Sequence, residues 1–465
     1  MANLGSSSTA HMDYAKKGLN FISKHKVSFL LFVAILLSLH THWMVMREWH
    51  MPTYGNTMIH IASARHVIEK GDYPVTDYSY GGGIPNLYVP GYRILVAVLV
   101  LLTGFSLDFA SRFIVLIFAA MVPPGFFILG KRLFGSGIGI LAAFASVLPG
   151  EFLIYTVRPL PQAFGLILLP IAFHAFYTKN YRAALMLAFA VTLVHQEAIA
   201  FLVGGLGVYF GFIILHLIWK VMVSRGFDAE KHSALLKNLL LGILFSMLVY
   251  LIWQFAIIGH FNIFELAQFK NHEGNVVSMD SYILKTGSLI ATFAMAGIFV
   301  CAGYFLKYAI GDHPGIPEEL RPGLRSFIMF LLGAFGSYFV LNNFSLSRGA
   351  SMISISFPIA LGPLGSFEIG AISLFVGLFG VLLLKILDRS ENYLKFPNIA
   401  YLFLFALFFA GFVAVKNDAI GLRVFMDRFL VYLQIPLIIL AALGADSLLE
   451  FVKEFPKRYL LGRTP

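Results

Sequence analysis

Charge is scarce in this chain of 465 residues: Asp, Glu, Lys and Arg together make up 12%, about half of the ~25% typical of soluble globular domains. So few charges cannot coat a water-exposed surface, which excludes an ordinary soluble enzyme. Cysteine is nearly missing as well. The single Cys301 lies in an apolar run, GIFVCAGYF, so no disulfide can form within the chain, and a buried small hydrophobe is its plain reading. There is no Walker loop, no G-x-G-x-x-G fingerprint, no H-E-x-x-H pair and no paired C-x-x-C, which argues against an ATP-driven pump. Alternating apolar and polar positions are also lacking. The hydrophobic runs are continuous, and this excludes a membrane-spanning barrel.

What is there is hydrophobicity, at 58% of residues, in runs that reach the ~20 residues a helix needs to cross a bilayer. The chain reads as an all-α polytopic membrane protein. Lys16, Lys17, Lys24 and Lys26 precede the first run, 27–46, and place the N-terminus in the cytoplasm. The next crossing is expected at 113–129, preceded by a helix against the outer leaflet. Further spans follow at 137–148, 160–177, 183–194, 198–219, 239–258, 284–306, 326–341, 371–387, 399–415 and 430–449, with a short, Pro/Gly-broken segment at 353–364 read as re-entrant. That makes about 12 spans with both termini inside, Lys453, Lys457, Arg458 and Arg463 closing the chain. The net charge of +10 is read as topology signal and phospholipid contact rather than nucleic-acid binding. Residues 1–12 read as a flexible tail or an expression scar. The chain divides into a cytoplasmic tail (1–26), a first membrane module (27–222) with a long outer loop at 47–92, and a second module (223–465). No internal repeat and no soluble domain stand out.

The outer loop, WHMPTYGNTMIHIASARHVIEKGDYPVTDYSYGGGIPNLYVPGY, is the long polar interruption of the first third. Residues 57–70 have helical spacing, with Asn56 at the start as a cap or, on the sharper reading, a catalytic or metal-shell residue, and Gly71 as a stop. His60 follows Asn56 by one turn on the same side. Asp72 and Asp77 suit tight turns and equally a carbohydrate or pyrophosphate site. Glu151 and Arg158, at the end of a span, pair with each other or serve as a carboxylate and a phosphate ligand. His195 and Glu197 mark another outer junction. A histidine there is either satisfied by a backbone carbonyl or functional. Arg348, Arg423 and Arg428 either snorkel to phospholipid or hold the phosphate of a lipid-linked substrate.

Three stretches carry a family resemblance: GNTMIHIASARHVIEKGDYPVTDYSYGG with its YVPGY exit, KRLFGSGIGILAAFASVLPGEFLIYTVRPLPQAFG, and MDRFLVYLQIPLIILAALG. Their order and topology resemble the GT-C superfamily of membrane glycosyltransferases, archaeal forms above all, well over residues 27–205 and loosely beyond. The resemblance implies a GT-C-like fold with short juxtamembrane helices in the first outer loop. It implies transfer of a sugar from a polyprenyl- or dolichyl-phosphate carrier to a lipid, glycan or protein acceptor at the outer face. Asn56, Asp72, Asp77 and Glu151 form the catalytic set so implied. His60, Tyr88, Arg158, His195, Glu197, Arg348, Arg423 and Arg428 are the substrate-binding set. A loop carboxylate so implied acts as base or as metal ligand, with a divalent Mg or Mn ion as the candidate cofactor. The partners implied are the lipid-linked donor, membrane lipids and an acceptor, with no nucleic acid.

One position departs from the family pattern. Asn56 stands where the resemblance implies an Asp, and an amide neither accepts a proton nor binds a cation as a carboxylate does. Another acid then serves as base, or the change is inactivating, or the branch has lost transfer. The Trp-Trp-Asp motif and soluble C-terminal domain of oligosaccharyltransferase subunits are also lacking, which favours transfer of a single sugar over a whole glycan. The rival readings are a lipid or polysaccharide transporter, disfavoured by the lack of paired repeats, and a non-catalytic lipid-sugar-binding subunit.

Overall fold

A computed structural model describes residues 25–48, 55–77, 83–86, 88–224, 229–259, 285–311, 315–343, 366–389, 398–417 and 426–455. Arg348, Arg423, the 353–364 segment and the side chain of Asn56 lie outside the described residues.

The chain is helical almost throughout. Helix α1 is Lys26–Met46 and α2 is Gly55–Lys70, ended by Gly71 in the left-handed conformation (φ 77°) as its stop signal implied. A two-residue antiparallel hairpin follows, β1 (Thr76–Asp77) and β2 (Ile84–Pro85), pairing Thr76 with Pro85 and Asp77 with Ile84. Helix α3 is Gly91–Thr103 and α4 is Leu107–Ala145, with Ser106 capping α4 through the backbone N–H of Phe109. Then come α5 (Gly150–Thr156), α6 (Pro161–Tyr177), α7 (Tyr181–Val194), α8 (Gln196–Ser224) and α9 (Ala229–Ile258). The second half holds α10 (Ser288–Gly311), α11 (Arg321–Asn343), α12 (Ser366–Arg389), α13 (Asn398–Val415) and α14 (Met426–Phe455).

Helix α4 contains two of the expected crossings. The chain keeps helical dihedrals through Pro123 and Pro124 and breaks at Phe134 (φ −137°, ψ 15°) and Gly135 (φ 89°, ψ 172°). Gly135 is in backbone territory that favours glycine. There the chain folds back on itself, because a Cβ on Gly139 would lie 2.8 Å from the backbone nitrogen of Lys131. This is the basic turn expected at Lys131 and Arg132.

Among the described residues six helices are long and apolar enough to cross a membrane, seven if α5 and α6, bent by 116°, make one span. Four shorter apolar helices add to these; the expectation of about 12 crossings counted those in α7, α12 and α13 as spans and placed α3 against the outer leaflet. The protein is a multi-pass membrane protein.

The core sits around α14, which has 83% of its apolar window buried, against 17% for α1 at the edge. Helix α14 packs along α10, α13 and α4. At the α10–α14 crossing two glycines let backbones touch: a Cβ on Gly297 would strike the Leu440 carbonyl, and one on Gly444 the Phe293 carbonyl. Small residues at such crossings give membrane helices the close packing that lipid cannot supply by hydrophobic force.

Candidate functional site

The polar side chains converge where helices begin. Glu151 is in the first turn of α5, Glu197 in that of α8 and Asp427 in that of α14. Unsatisfied N–H groups and the helix dipole favour carboxylates at such ends. The elements are brought together by glycine contacts. A Cβ on Gly91, the first residue of α3, would lie 2.6 Å from the carbonyl oxygen of Leu193 near the end of α7. A Cβ on Gly165 of α6 would lie 2.8 Å from the Ala198 Cβ and 3.5 Å from the His195 Cβ. The first loop, α6, α7 and α8 therefore meet around His195.

Two clusters occupy this end. In the first, Glu197 is 3% exposed and both carboxylate oxygens are used. Oε1 accepts from Arg428 at 3.1 Å and Oε2 from the Gln162 amide at 3.2 Å. His195, in extended backbone between α7 and α8, shares a 2.9 Å hydrogen bond between Nδ1 and the Tyr432 hydroxyl and lies 3.8 Å from Glu197 Oε2. The partner seen at His195 Nδ1 is thus a hydroxyl and not the backbone carbonyl of the plainer expectation. Arg428 is not merely snorkelling to lipid: it is the counter-ion of a buried acid. Glu151 Oε1 pairs with Lys285 at 3.2 Å, and the Arg158 guanidinium lies over the Tyr155 ring, 5.3 Å from its centre. Tyr155 stands within electrostatic reach of Glu151, Glu197, Arg158 and Asp427, and Arg428 within reach of Tyr88 and Tyr155.

The second cluster is built on Arg93, which is wholly buried near the start of α3. Its Nε donates to His60 Nδ1 at 3.1 Å, and one terminal nitrogen donates to the Tyr73 hydroxyl at 2.6 Å and to Asn86 Oδ1 at 3.0 Å. The Tyr73 and Tyr88 rings approach the guanidinium at 5.8 and 5.2 Å, and among the described residues the other terminal nitrogen has no hydrogen-bond partner. His60 is also held edge-on by Tyr88 and Tyr92, at 5.3 and 6.1 Å between ring centres. Burial holds the His60 imidazole well below the ordinary histidine range, and the charges of Arg93 and then His195 push it the same way. Burial likewise raises the Tyr73 phenol.

The structure thus brings together His60, Tyr88, Glu151, Arg158, His195, Glu197 and Arg428. Asp72 is 74% exposed and paired with His66 at 2.9 Å. Asp77 lies in β1 and acts on Tyr73. Helix α2 begins at Gly55, so Asn56 lies in its first turn rather than ahead of it. Sequence reasoning missed Arg93, Tyr73, Asn86, Lys285, Gln162, Tyr432 and Asp427. Arg93 alone carried a signal, a charge three residues into an apolar run. Among the described residues no group of three His, Cys, Asp or Glu side chains is arranged to hold a metal ion.

No protein-family model matches the chain, and no curated protein matches it in sequence. Among solved structures it is similar to the archaeal oligosaccharyltransferase AglB from Archaeoglobus fulgidus in complex with an inhibitory peptide and a dolichol-phosphate. That match has 15% identity and a TM-score of 0.50 over 96% of this chain and 53% of that one. The apo form of the Archaeoglobus fulgidus enzyme matches at 16% identity and a TM-score of 0.48, over 94% of this chain and 52% of that one. ArnT from Cupriavidus metallidurans bound to undecaprenyl phosphate matches at 15% identity and a TM-score of 0.41, over 95% of this chain and 81% of that one. The chain spans about half the length of the oligosaccharyltransferase it matches. At this identity the likeness bears on architecture alone: the chain has the GT-C fold that its three motif stretches imply.

Proposed function

We propose that the chain is a membrane glycosyltransferase that moves a sugar from a polyprenyl- or dolichyl-phosphate carrier to an acceptor at the outer face of the membrane. The observation that carries this reading is the meeting of Glu151, Arg158, Tyr155, Glu197 and Arg428 at one end of a GT-C fold. A lipid-phosphate donor must be met at the membrane boundary, where its tail can stay in lipid. The archaeal protein with the same fold was solved with a dolichol-phosphate, which supports a carrier of this class.

The chemistry needs two things. A carboxylate takes the proton from the acceptor as its oxygen or nitrogen bonds the anomeric carbon, and cations receive the phosphate that leaves with the electron pair of the broken carbon–oxygen bond. Glu197 is committed to Arg428 and Gln162, which suits a scaffold better than a base. Glu151 is the base in this reading, with Asp77 and Asp72 behind it. Arg158 and Arg428 take the phosphate, with Arg348 and Arg423 as further cations. His60, Tyr88 and His195 line the donor, and Asn56 keeps a helix start without supplying a base.

The test uses the purified chain, a panel of polyprenyl-phosphate sugars, and sugar release or transfer followed with and without Mg or Mn. Asn56→Asp is run beside the parent. The parent is expected to turn over, and Glu151→Gln is expected to lower kcat by about 10²-fold to 10⁴-fold while donor binding is kept. Turnover by Asn56→Asp alone would move the base to position 56. Neither release nor donor binding by either protein would end the glycosyltransferase reading.

A further inference from the structure

We infer that Arg93 is a positioning residue that holds His60 as the uncharged Nε2–H tautomer and, through the same guanidinium, ties the first loop to helix α3. The inference deepens the proposed function and rests on it only for the consequence in turnover.

The tautomer follows from the chemistry of the donor. A guanidinium carries only N–H donors and stays charged at any ordinary pH. Its Nε donates to His60 Nδ1 at 3.1 Å, so Nδ1 must carry the lone pair and the ring proton must sit on Nε2. A second proton on the ring would place N–H against N–H beside a fixed positive charge. Among the described residues the groups beside the ring do not favour it: Arg93 is cationic, His195 acts in the same direction, and the Tyr88 and Tyr92 rings meet the imidazole at near right angles and carry no carboxylate. His60 therefore offers the site one uncharged hydrogen-bond donor, and its direction is set by Arg93.

The same guanidinium organises the loop. Its partners come from α2 (His60), from the turn after α2 (Tyr73) and from the residue after β2 (Asn86), and among the described residues no carboxylate pairs with it. Asn86 is fixed in turn by its amide donating to the Pro74 carbonyl and its backbone N–H to the Val75 carbonyl, each at 2.8 Å. Tyr73 donates to the Tyr88 carbonyl at 3.0 Å. A buried cation with no ionic partner is costly. Neutral acceptors and two aromatic faces accommodate it, and its charge adds to burial in keeping a second proton off His60.

The test is spectroscopic and needs no turnover. The full chain, labelled with ¹⁵N-histidine, is placed in lipid nanodiscs, and the imidazole nitrogens are read from about pH 8 to about pH 5, the range in which histidine normally titrates. The signals that vanish in His60→Gln belong to His60. The expected spectrum has an unprotonated Nδ1 and a protonated Nε2 throughout. An Nδ1–H form, a mixture or an imidazolium in that range would overturn the inference. Arg93→Met is expected to produce both tautomers and to move any titration upward, and an unchanged tautomer in Arg93→Met also refutes it. Tyr73→Phe removes one contact of the terminal nitrogen and leaves Nε in place, so it serves where Arg93→Met does not fold. It is expected to keep the tautomer, and loss there would assign the lock to the loop and not to Arg93. With an active donor in hand, Arg93→Met is expected to lower kcat by about 10-fold to 100-fold with a smaller change in KM, and a loss confined to KM speaks against positioning. If no donor turns over while the tautomer is as expected, the enzyme reading fails and the lock stands.

Discussion

Removing Arg428 leaves a carboxylate in the protein interior without its counter-ion. Glu197 is 3% exposed, whereas Arg428 is 32% exposed, so the two sides of this ion pair are not equivalent. In Arg428→Met, the Gln162 amide at 3.2 Å from Oε2 remains as a donor to Glu197. A stranded buried charge costs about 3–5 kcal/mol. In Glu197→Gln the shape is kept, no buried charge remains, and the half-exposed guanidinium can turn to water. The loss is then close to that of one hydrogen bond to a charged group, about 1.5–3 kcal/mol. The expected order is Arg428→Met well below Glu197→Gln, by about 2 kcal/mol, with the double variant more stable than the sum of the two losses implies. Denaturant or thermal unfolding in one detergent, followed by helix content and by exposure of the buried Cys301 to a thiol reagent, reads all three proteins. Equal losses from the two single variants would mean that water reaches Glu197 and that the pair is not a buried unit, which would remove the scaffold role assigned to it.

Two further outcomes follow from the same end of the molecule. Gly91→Ala puts a Cβ against the Leu193 carbonyl, 2.6 Å away. Because a backbone atom cannot swing aside, a stability loss of about 1–3 kcal/mol is expected, together with a changed His195 environment readable by NMR. Gly207→Ala, with open space at the added Cβ, is the control, and equal effects from both would refute the close approach. The second concerns acid. His60 is held below its ordinary range in the folded chain, so the unfolded chain binds the proton first. Its contribution is fully present above about pH 6.5 and is lost as pH falls below that value, by up to about 1.4 kcal/mol per pH unit. His60→Gln should flatten the acid limb of stability against pH relative to the parent, and an unchanged limb would show that His60 is not buried uncharged.

The helices were legible because their signals are local. The Gly71 stop, the basic turn at 131–132 and the His195 junction each mark a change of direction that a few neighbouring residues decide. The turn back at Phe134–Gly135 was visible as a basic inner turn between two apolar runs, and the close contact at Gly139 was not. The exact number of crossings is less legible, because helices of 13 to 18 residues such as α3 and α13 fall near the length at which apolar runs stop distinguishing a crossing from a partial one.

The site divides along the same line. Glu151, Glu197 and Arg428 attracted notice because charges at the ends of apolar runs are costly without partners. What those partners are is a tertiary fact: Arg428 lies 231 residues from Glu197 and Lys285 134 residues from Glu151. Arg93 had the same local signature as Arg428, one cation at the edge of a greasy run, yet the two residues do opposite things. Arg428 neutralises a carboxylate, and Arg93 meets only neutral acceptors among the described residues and imposes its charge on a histidine. Identity and hydropathy are equal in the two cases, and the difference lies in which neighbours the glycine contacts at Gly91 and Gly165 bring within reach. The acids carry a similar ambiguity. A carboxylate in the first turn of a helix stabilises that helix whether or not it also meets a substrate, so Glu151, Glu197 and Asp427 are each explained locally before any chemistry is asked of them. Only their meeting around Tyr155, on three different helices, goes beyond what three separate helix ends require, and for that reason the functional reading rests on the meeting rather than on any one acid.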